Sequence, residues 1–431
     1  MKHLYIILLI LPLIGFGQGF ETTFGGEESD GGNSVQQTMD GGYIITGQTY
    51  SFGNGFVDVY LIKTDGSGNE QWSQTFGGTT NDVGHSVQQT NDGGYIITGQ
   101  TYQDTGSNGK IFLIKTDENG NEEWSQTFDN YSIGFDVKQT NDGGYIITGH
   151  TDFSSIGVGD IYLIKTDGSG NEQWSQTFGA MDIDTSYSVQ QTTDGGFIIT
   201  GETYSFGGMG DDYCYLIKTD ENGNEQWSQT FDNNSIGLDV KQANDGGYII
   251  TGSIAGSADT GYFVGDLYLI KTDENGEEQW SQTFGGTGVD VGYSVQQTTD
   301  GGYIITGWTT TSDFFGRDVY LIKTDGNGNE QWSQTFGGTG VDEGYSVQQT
   351  TDGGFIITGK TSSFGSGADV YLIKTNEWGN ITSTIELSTP TSKRELIKTT
   401  NIIGQENTTI KNQPIIEIYD DGSVEKKYIV E

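Results

Sequence analysis

"SVQQTTDGGYIITGWTTTSDFFGRDVYLIKTDGNGNEQWSQTFGG", Ser294–Gly338, is one of a series of near-copies, and its reading decides the fold. It divides into four short runs rich in β-branched and aromatic residues, with Gly, Asn and Asp between them, which is the pattern of strands joined by tight turns. Strand A is "SVQQT", B is "GYIITGWT", C is "DVYLIKT" and D is "EQWSQTF". The "TDGG" turn between A and B and the "TDGNGN" turn between C and D suit hairpins, because Gly and Asn tolerate positive φ. B and C read as nearly continuous apolar runs, as expected of a sheet covered on both faces.

The phrase "DGG(Y/F)IITG" begins at Asp40, Asp92, Asp142, Asp194, Asp245, Asp300 and Asp352. Seven units of four antiparallel strands predict an all-β fold, a seven-bladed β-propeller, over residues 18–380. The seventh unit lacks its D strand: "NEWGNITSTIELS" follows "DVYLIKT" (Asp369–Thr375), with Ser383 where the Trp belongs. The missing strand is "GFETTFGG", Gly19–Gly26, at the other end of the chain. Phe20 stands at the position of Trp72, Phe24 at that of Phe76, and Gly25-Gly26 at that of Gly77-Gly78. Closure by this strand covers the faces that an open array would expose on its first and last units.

Residues 1–17, with Lys2, an apolar run from Leu4 to Ile14, and Gly15 and Gly17, form a secretory signal pattern. The run is shorter than the roughly 20 residues a membrane span needs. Net charge is −40, which disfavours nucleic acid and anionic lipid, attracts cations, and also keeps a strand-rich repeat soluble. Cys214 is the one cysteine, so no internal disulfide forms; it replaces the Val of sister repeats and reads as a small buried apolar residue.

The "GGTGVDVG" approach to strand A, the "DGGYIITG" hairpin and "DVYLIKTD-x-x-G-N-E-x-W" resemble the bacterial seven-bladed propeller repeats known as SBBP. The element Asp65, Gly68, Trp72 resembles the tryptophan-docking motif of quinoprotein propellers. Residues 381–392 read as a linker, and 393–431 as a β-tail with strands in "ELIKTTNIIGQ", "PIIEIYDDG" and "VEKKYIVE". "NIIGQE", the "IYDDGSVEKK" hairpin and the apolar last strand resemble the C-terminal sorting tails of type IX secretion cargo, although the tail is short and has no "PNP" start. That resemblance implies reading by an outer-membrane translocon and a secreted or surface-attached protein of a Gram-negative bacterium. A small β-appendage is the plainer alternative.

Chemistry has few anchors. The three histidines, His3, His85 and His150, suggest no Ser-His-Asp set, no His/Cys cluster has zinc spacing, and the "DGG" strings join strand to strand rather than opening a helix. No cofactor is expected, and calcium is the one ion left open. Its candidates are the C–D turn Asp117, Asn119, Asn121, the acids opening strand C (Asp58, Asp160, Asp266, Asp318, Asp369, with Lys110 and Tyr213 as exceptions), and Asp82, Asp290 and Asp342. Repetition in blade after blade favours backbone-satisfying roles for them.

A single functional site must break the sevenfold repeat. The A–B and C–D turns are uniform, whereas the B–C and D–A loops, on the opposite face, vary and carry aromatics. The position x of "IITG-x-T" varies too. The candidate rim and loop residues are therefore Gln48, Phe52, Gln100, Tyr102, His150, Phe153, Glu202, Phe206, Tyr262, Trp308, Phe314 and Lys360. Loop aromatics with polar neighbours suit a glycan or protein partner, unless they fold over their own blade tops. The expectation is a non-catalytic binding propeller. The alternatives are a carbohydrate-active enzyme using acids such as Glu202, Asp211 and Asp212 on the same face, and a scaffold or adhesin component without a specific ligand.

Overall fold

The computed structural model describes residues 19–102, 109–128, 132–151, 159–206, 212–255, 265–310, 316–365 and 367–381, and the tail strands 396–401, 414–419 and 424–428. The chain divides into two compact units between Ser383 and Thr384. The first contains seven four-stranded antiparallel sheets among the described residues. Blade 1 runs Asp30–Gln37, Tyr43–Thr49, Asp58–Thr64, Glu70–Phe76 as strands A to D. The A strands of blades 2 to 7 are Asp82–Gln89, Ser132–Gln139, Asp184–Gln191, Ser235–Gln242, Asp290–Gln297 and Asp342–Gln349. They touch one another around the ring, so A is the innermost strand.

Strand A is longer than "SVQQT" predicted and starts three residues or more upstream, because a β-bulge lets it continue. In every blade the register to strand B slips by one residue, in blade 1 between Gly32 and Ser34. The bulge presses strand A onto the Gly of "IITG": a Cβ on Gly47 would stand 1.9 Å from the Gly31 carbonyl oxygen. Only glycine fits there.

The cores lie between blades. Ile96, Ile111, Leu113 and Phe128 of blade 2 pack against Val137, Tyr145, Ile147, Tyr162 and Ile164 of blade 3. The doubly covered B and C strands thus explain the unbroken apolar runs. Each D-strand Trp docks on the next blade; Trp72 lies 5.9 Å from Tyr95, ring to ring, and against the C–D turn glycine Gly120 at φ +78°.

Strand Phe20–Phe24 completes blade 7 as its outer strand, pairing Phe20 with Lys374 and Phe24 with Val370. Those registers match Trp72 with Lys63 and Phe76 with Val59. Phe20 takes the Trp role, 6.1 Å from Tyr43 and against Gly68. Phe24 joins Ile356, Val370 and Leu372 against Val35, Tyr43 and Tyr60 of blade 1, so the seam is built like the other junctions.

Innermost strands are edge strands, and their free N–H groups need partners. The preceding blade supplies them: Gln37 N–H donates to Gln348 Oε1 and Gln89 N–H to Gln36 Oε1, each at 2.6 Å. The second Gln of each "QQ" reaches back and accepts from the A–B turn of the blade before, as when Thr351 N–H donates to Gln37 Oε1 at 2.9 Å across the seam. The Lys of "LIKT" is buried and bound to the Asp of "DGG" in all seven blades, for example Lys63 to Asp40 at 2.9 Å.

The second unit contains a three-stranded antiparallel sheet, Leu396–Asn401, Pro414–Tyr419 and Val424–Tyr428, with the Pro414 strand central. No helix among the described residues is long and apolar enough to cross a membrane.

Candidate functional site

Strand A begins opposite the end of strand B, with Asp30 paired to Thr49, so the start of every A strand lies at the B–C and D–A face. The bulge residue beside that face varies from blade to blade: Asn33, His85, Phe135, Tyr187, Leu238, Tyr293 and Tyr345 in blades 1 to 7. A bulge turns its extra side chain out of the ladder, and here all seven line one central cavity of about 350 Å3. They form a collar. Phe135 lies 5.3 Å from His85 and 5.2 Å from Tyr187, ring to ring, and Tyr293 meets Tyr345 edge-on at 5.1 Å.

The "IITG-x-T" residues stand directly behind this collar. His150 stacks on Phe135 at 5.7 Å. Tyr187 donates its hydroxyl to Glu202 Oε1 at 2.7 Å. Lys360 Nζ sits 5.9 Å from the centre of the Tyr345 ring and 2.9 Å from Glu343. Gln48 and Gln100 pair with Gly31 and Val83. Trp308 is buried rather than open on the rim, with the Arg317 guanidinium 4.2 Å from its ring centre. Arg317 also binds Glu343, and Tyr345 donates to the same carboxylate.

The loop aromatics divide differently. Phe52 and Phe206 lean on their own blades, 5.6 Å from Tyr60 and 5.5 Å from Tyr215, as Phe364 does on Tyr371, yet each remains about half exposed. Tyr102 is half-buried, and its carbonyl accepts from the Thr80 hydroxyl. Phe153, Tyr262, Phe314 and Asp211 lie outside the described residues.

Below the collar the channel breaks symmetry again. Five A strands read "SVQQ", but blades 3 and 5 read "DVKQ". Asp136 Oδ1 binds Lys138 at 2.5 Å and accepts from Ser86 at 2.7 Å in blade 2, while its Oδ2 accepts from the Val189 N–H of blade 4 at 3.2 Å. Asp239 repeats this with Lys241, Ser188 and the Val295 N–H. Burial pushes the Asp136 carboxyl up, but the charges of Lys138 and of Lys241, two blades away, outweigh it and hold it below the carboxylate range. Both pairs line the cavity.

Neither the collar nor the Asp–Lys pairs figure among the residues expected from sequence. The pairs had a signal, the two departures from "SVQQ". The collar had one too, the variation of that position from unit to unit, but only the bulge shows that it faces the channel.

Burial pushes the His85 imidazole down to about 4, and its Nε2 has no hydrogen-bond partner. Burial raises the Glu202 carboxyl, the nearby Asp212 charge adds to this, and the Tyr187 hydrogen bond works against it. The C–D turns are plain hairpins: Asp117 Oδ1 accepts from the Asn119 and Asn121 N–H groups at 2.8 Å. No group of three or more His, Cys, Asp or Glu that could hold a metal occurs among the described residues. Cys214 is buried, as its Val position predicted.

No family model and no curated protein matches the chain. Among solved structures it is similar to the Pan2 WD40 domain of Neurospora crassa, at 11% identity and a TM-score of 0.50, over 81% of this chain and 91% of that one. It is similar to a streptogramin B lyase at 11% identity and a TM-score of 0.51, over 83% and 98%. A protein of unknown function from Bacteroides caccae aligns at 11% identity and a TM-score of 0.43, over 66% and 92%. At such identities the likeness to the first two extends to the β-propeller fold alone, which hosts many activities.

Proposed function

We propose that this chain is a secreted or cell-surface, non-catalytic propeller that binds a glycan carrying an acidic group at the mouth of its central channel. The supporting observation is where the cations stand. In a chain of net charge −40, seven of the propeller's Lys residues are tied to the "DGG" acids. Of its five other cations, Lys138 and Lys241 line the channel, each paired with an Asp, and Arg317 and Lys360 stand just behind the collar and share Glu343, which leaves one positive charge in excess there; Lys110 is the exception. Aromatic faces beside cations stack on a sugar ring and meet its acid. A cavity of about 350 Å3 is of ligand-pocket size.

Export rests on the signal pattern of residues 1–17 and the sorting-like tail, and the SBBP resemblance is part of the same reading. A second reading, a protein partner, is favoured by Phe52, Phe206 and Phe364, which stay about half exposed on the same face. A third, glycoside cleavage, is favoured by the raised Glu202 carboxyl with Asp212 nearby.

The test is a glycan array and a pull-down with the exported chain, repeated with Tyr293→Ala/Tyr345→Ala and with Phe206→Ala. The proposal expects an acidic glycan whose affinity falls at least about tenfold on loss of the collar, as losing two stacking contacts implies, and stays within about twofold in Phe206→Ala. Binding indifferent to the collar contradicts it. Hydrolysis lost in Glu202→Gln would replace it with the enzymatic reading.

A further inference from the structure

The five blades whose A strand opens with Asp share a second feature. Asp82 meets Asp58, Asp184 meets Asp160, Asp290 meets Asp266, Asp342 meets Asp318 and Asp30 meets Asp369, each pair joining the start of one blade's strand A to the start of the preceding blade's strand C. At four junctions the two carboxylates converge on one glycine. A Cβ on Gly179 would stand 2.4 Å from Asp184 Oδ2 and 2.7 Å from Asp160 Oδ1, and one on Gly77 2.0 Å from Asp58 Oδ1 and 2.7 Å from Asp82 Oδ2. The two remaining junctions lose both acids together: Lys110 stands with Ser132, and Tyr213 with Ser235. There the serine hydroxyl fills the role, accepting from the Cys214 N–H at 3.1 Å and donating to the Asp232 carbonyl at 2.6 Å. Acids needed only to cap a loop have no reason to come and go as pairs.

The acids do cap loops, and Asp342 does so with both oxygens, Oδ1 accepting from the Thr361 hydroxyl and Oδ2 from the Gly338 N–H and Ser363, but at three junctions an oxygen is left over. Asp184 Oδ2 accepts from the Ala180 N–H at 3.0 Å and from Ser205 at 2.8 Å. Its Oδ1 is buried and has no partner, in a side chain that is fully buried. The Oδ1 atoms of Asp30, Asp290 and Asp160 are likewise unpartnered, and Asp30 and Asp290 are 2% and 0% exposed. No Lys or Arg forms an ion pair with any of the ten acids among the described residues. Two carboxylates at close quarters, one deeply buried, without a counter-charge need a proton or a cation between them. Hard oxygen donors suit calcium, whose sites in extracellular modules complete their shell with backbone carbonyls and water.

We propose that five of the seven blade junctions each hold a calcium ion between the acid opening strand C of one blade and the acid opening strand A of the next. The ions pin the B–C and D–A loops of neighbouring blades together around the collar, independently of what the collar binds.

The full chain, stripped with a chelator and held in about 150 mM sodium chloride to screen diffuse charge, is titrated with calcium chloride in a calorimeter and melted with and without the ion. The expected result is about five equivalents with Kd near ~10⁻⁴ to 10⁻³ M, and a melting temperature at least about 5 °C higher in saturating calcium. Asp160→Asn/Asp184→Asn removes one equivalent, and Asp318→Asn/Asp342→Asn does the same at a separate junction should the first variant fold poorly. Asp117→Asn, in an exposed hairpin, removes none. Equal melting with chelator and calcium assigns the pairs a shared proton and overturns the proposal. Uptake undiminished in both junction variants assigns it to diffuse surface charge and overturns it too.

Discussion

At the scale of the residue, most repetition has a hydrogen bond behind it. The Asp of "DGG" shows the balance. Burial pushes the Asp40 carboxyl up, but the Thr38 hydroxyl, Lys63 and the Gly42 N–H outweigh it and hold it at about 2; Asp142 is held at about 2 by the same set around Lys165. The equivalent acids of the other five blades are lowered too. A carboxyl lowered by folding stabilises the fold above its unfolded value of about 4, and that contribution is lost as pH falls toward 2. The melting temperature of Asp142→Asn should therefore approach that of the parent as pH drops from about 4.5 to 2.5. A gap that stays constant over that range contradicts the assignment. The "DGG–LIKT" pairing was open to inspection in the repeat, since one Asp and one Lys recur together in every unit, each at a fixed place in its own motif. The collar was not: His85 and Tyr293 occupy one bulge position, and only coordinates show that the bulge faces the channel.

Strands were legible wherever turn chemistry and apolar runs agreed, and B, C and D begin and end close to where the repeat predicts. Strand A was read short because its first half, such as "DGGN" or "DVGH", is rich in Gly and lacks the apolar alternation of a strand. Bulge geometry and the carboxyl caps carry that half instead. The closing strand is the sharpest element-level inference, since Phe24 is buried in the seam and Phe20 docks in place of a Trp. Deleting Gln18–Gly26 removes both aromatics and bares the strand Asp369–Thr375. The loss should be several kcal/mol, comparable with truncating two core phenylalanines at about 3–5 kcal/mol each when fully buried. Thermal melting of the deletion against the full chain checks this, and unchanged melting contradicts it.

For the whole molecule, near-identical units close a ring in which each blade completes its neighbour's core, caps its neighbour's edge and docks its neighbour's turn. Uniformity serves the ring, and it fails at the seven bulge residues, the two "DVKQ" strands and the two junctions without acid pairs; the proposed binding site lies among the first two. Blades 3 and 5 carry the last two departures together. The ring itself was legible from the count of strands, since six D strands for seven of each other kind leave one place for Phe20–Phe24. Hydrogen exchange of the full chain tests that closure most directly. The account predicts that backbone amides of Val370–Lys374 in blade 7 exchange as slowly as those of Val59–Lys63 in blade 1, because each strand is paired on both sides. Fast exchange confined to Val370–Lys374 would mean that the first strand does not seal the ring.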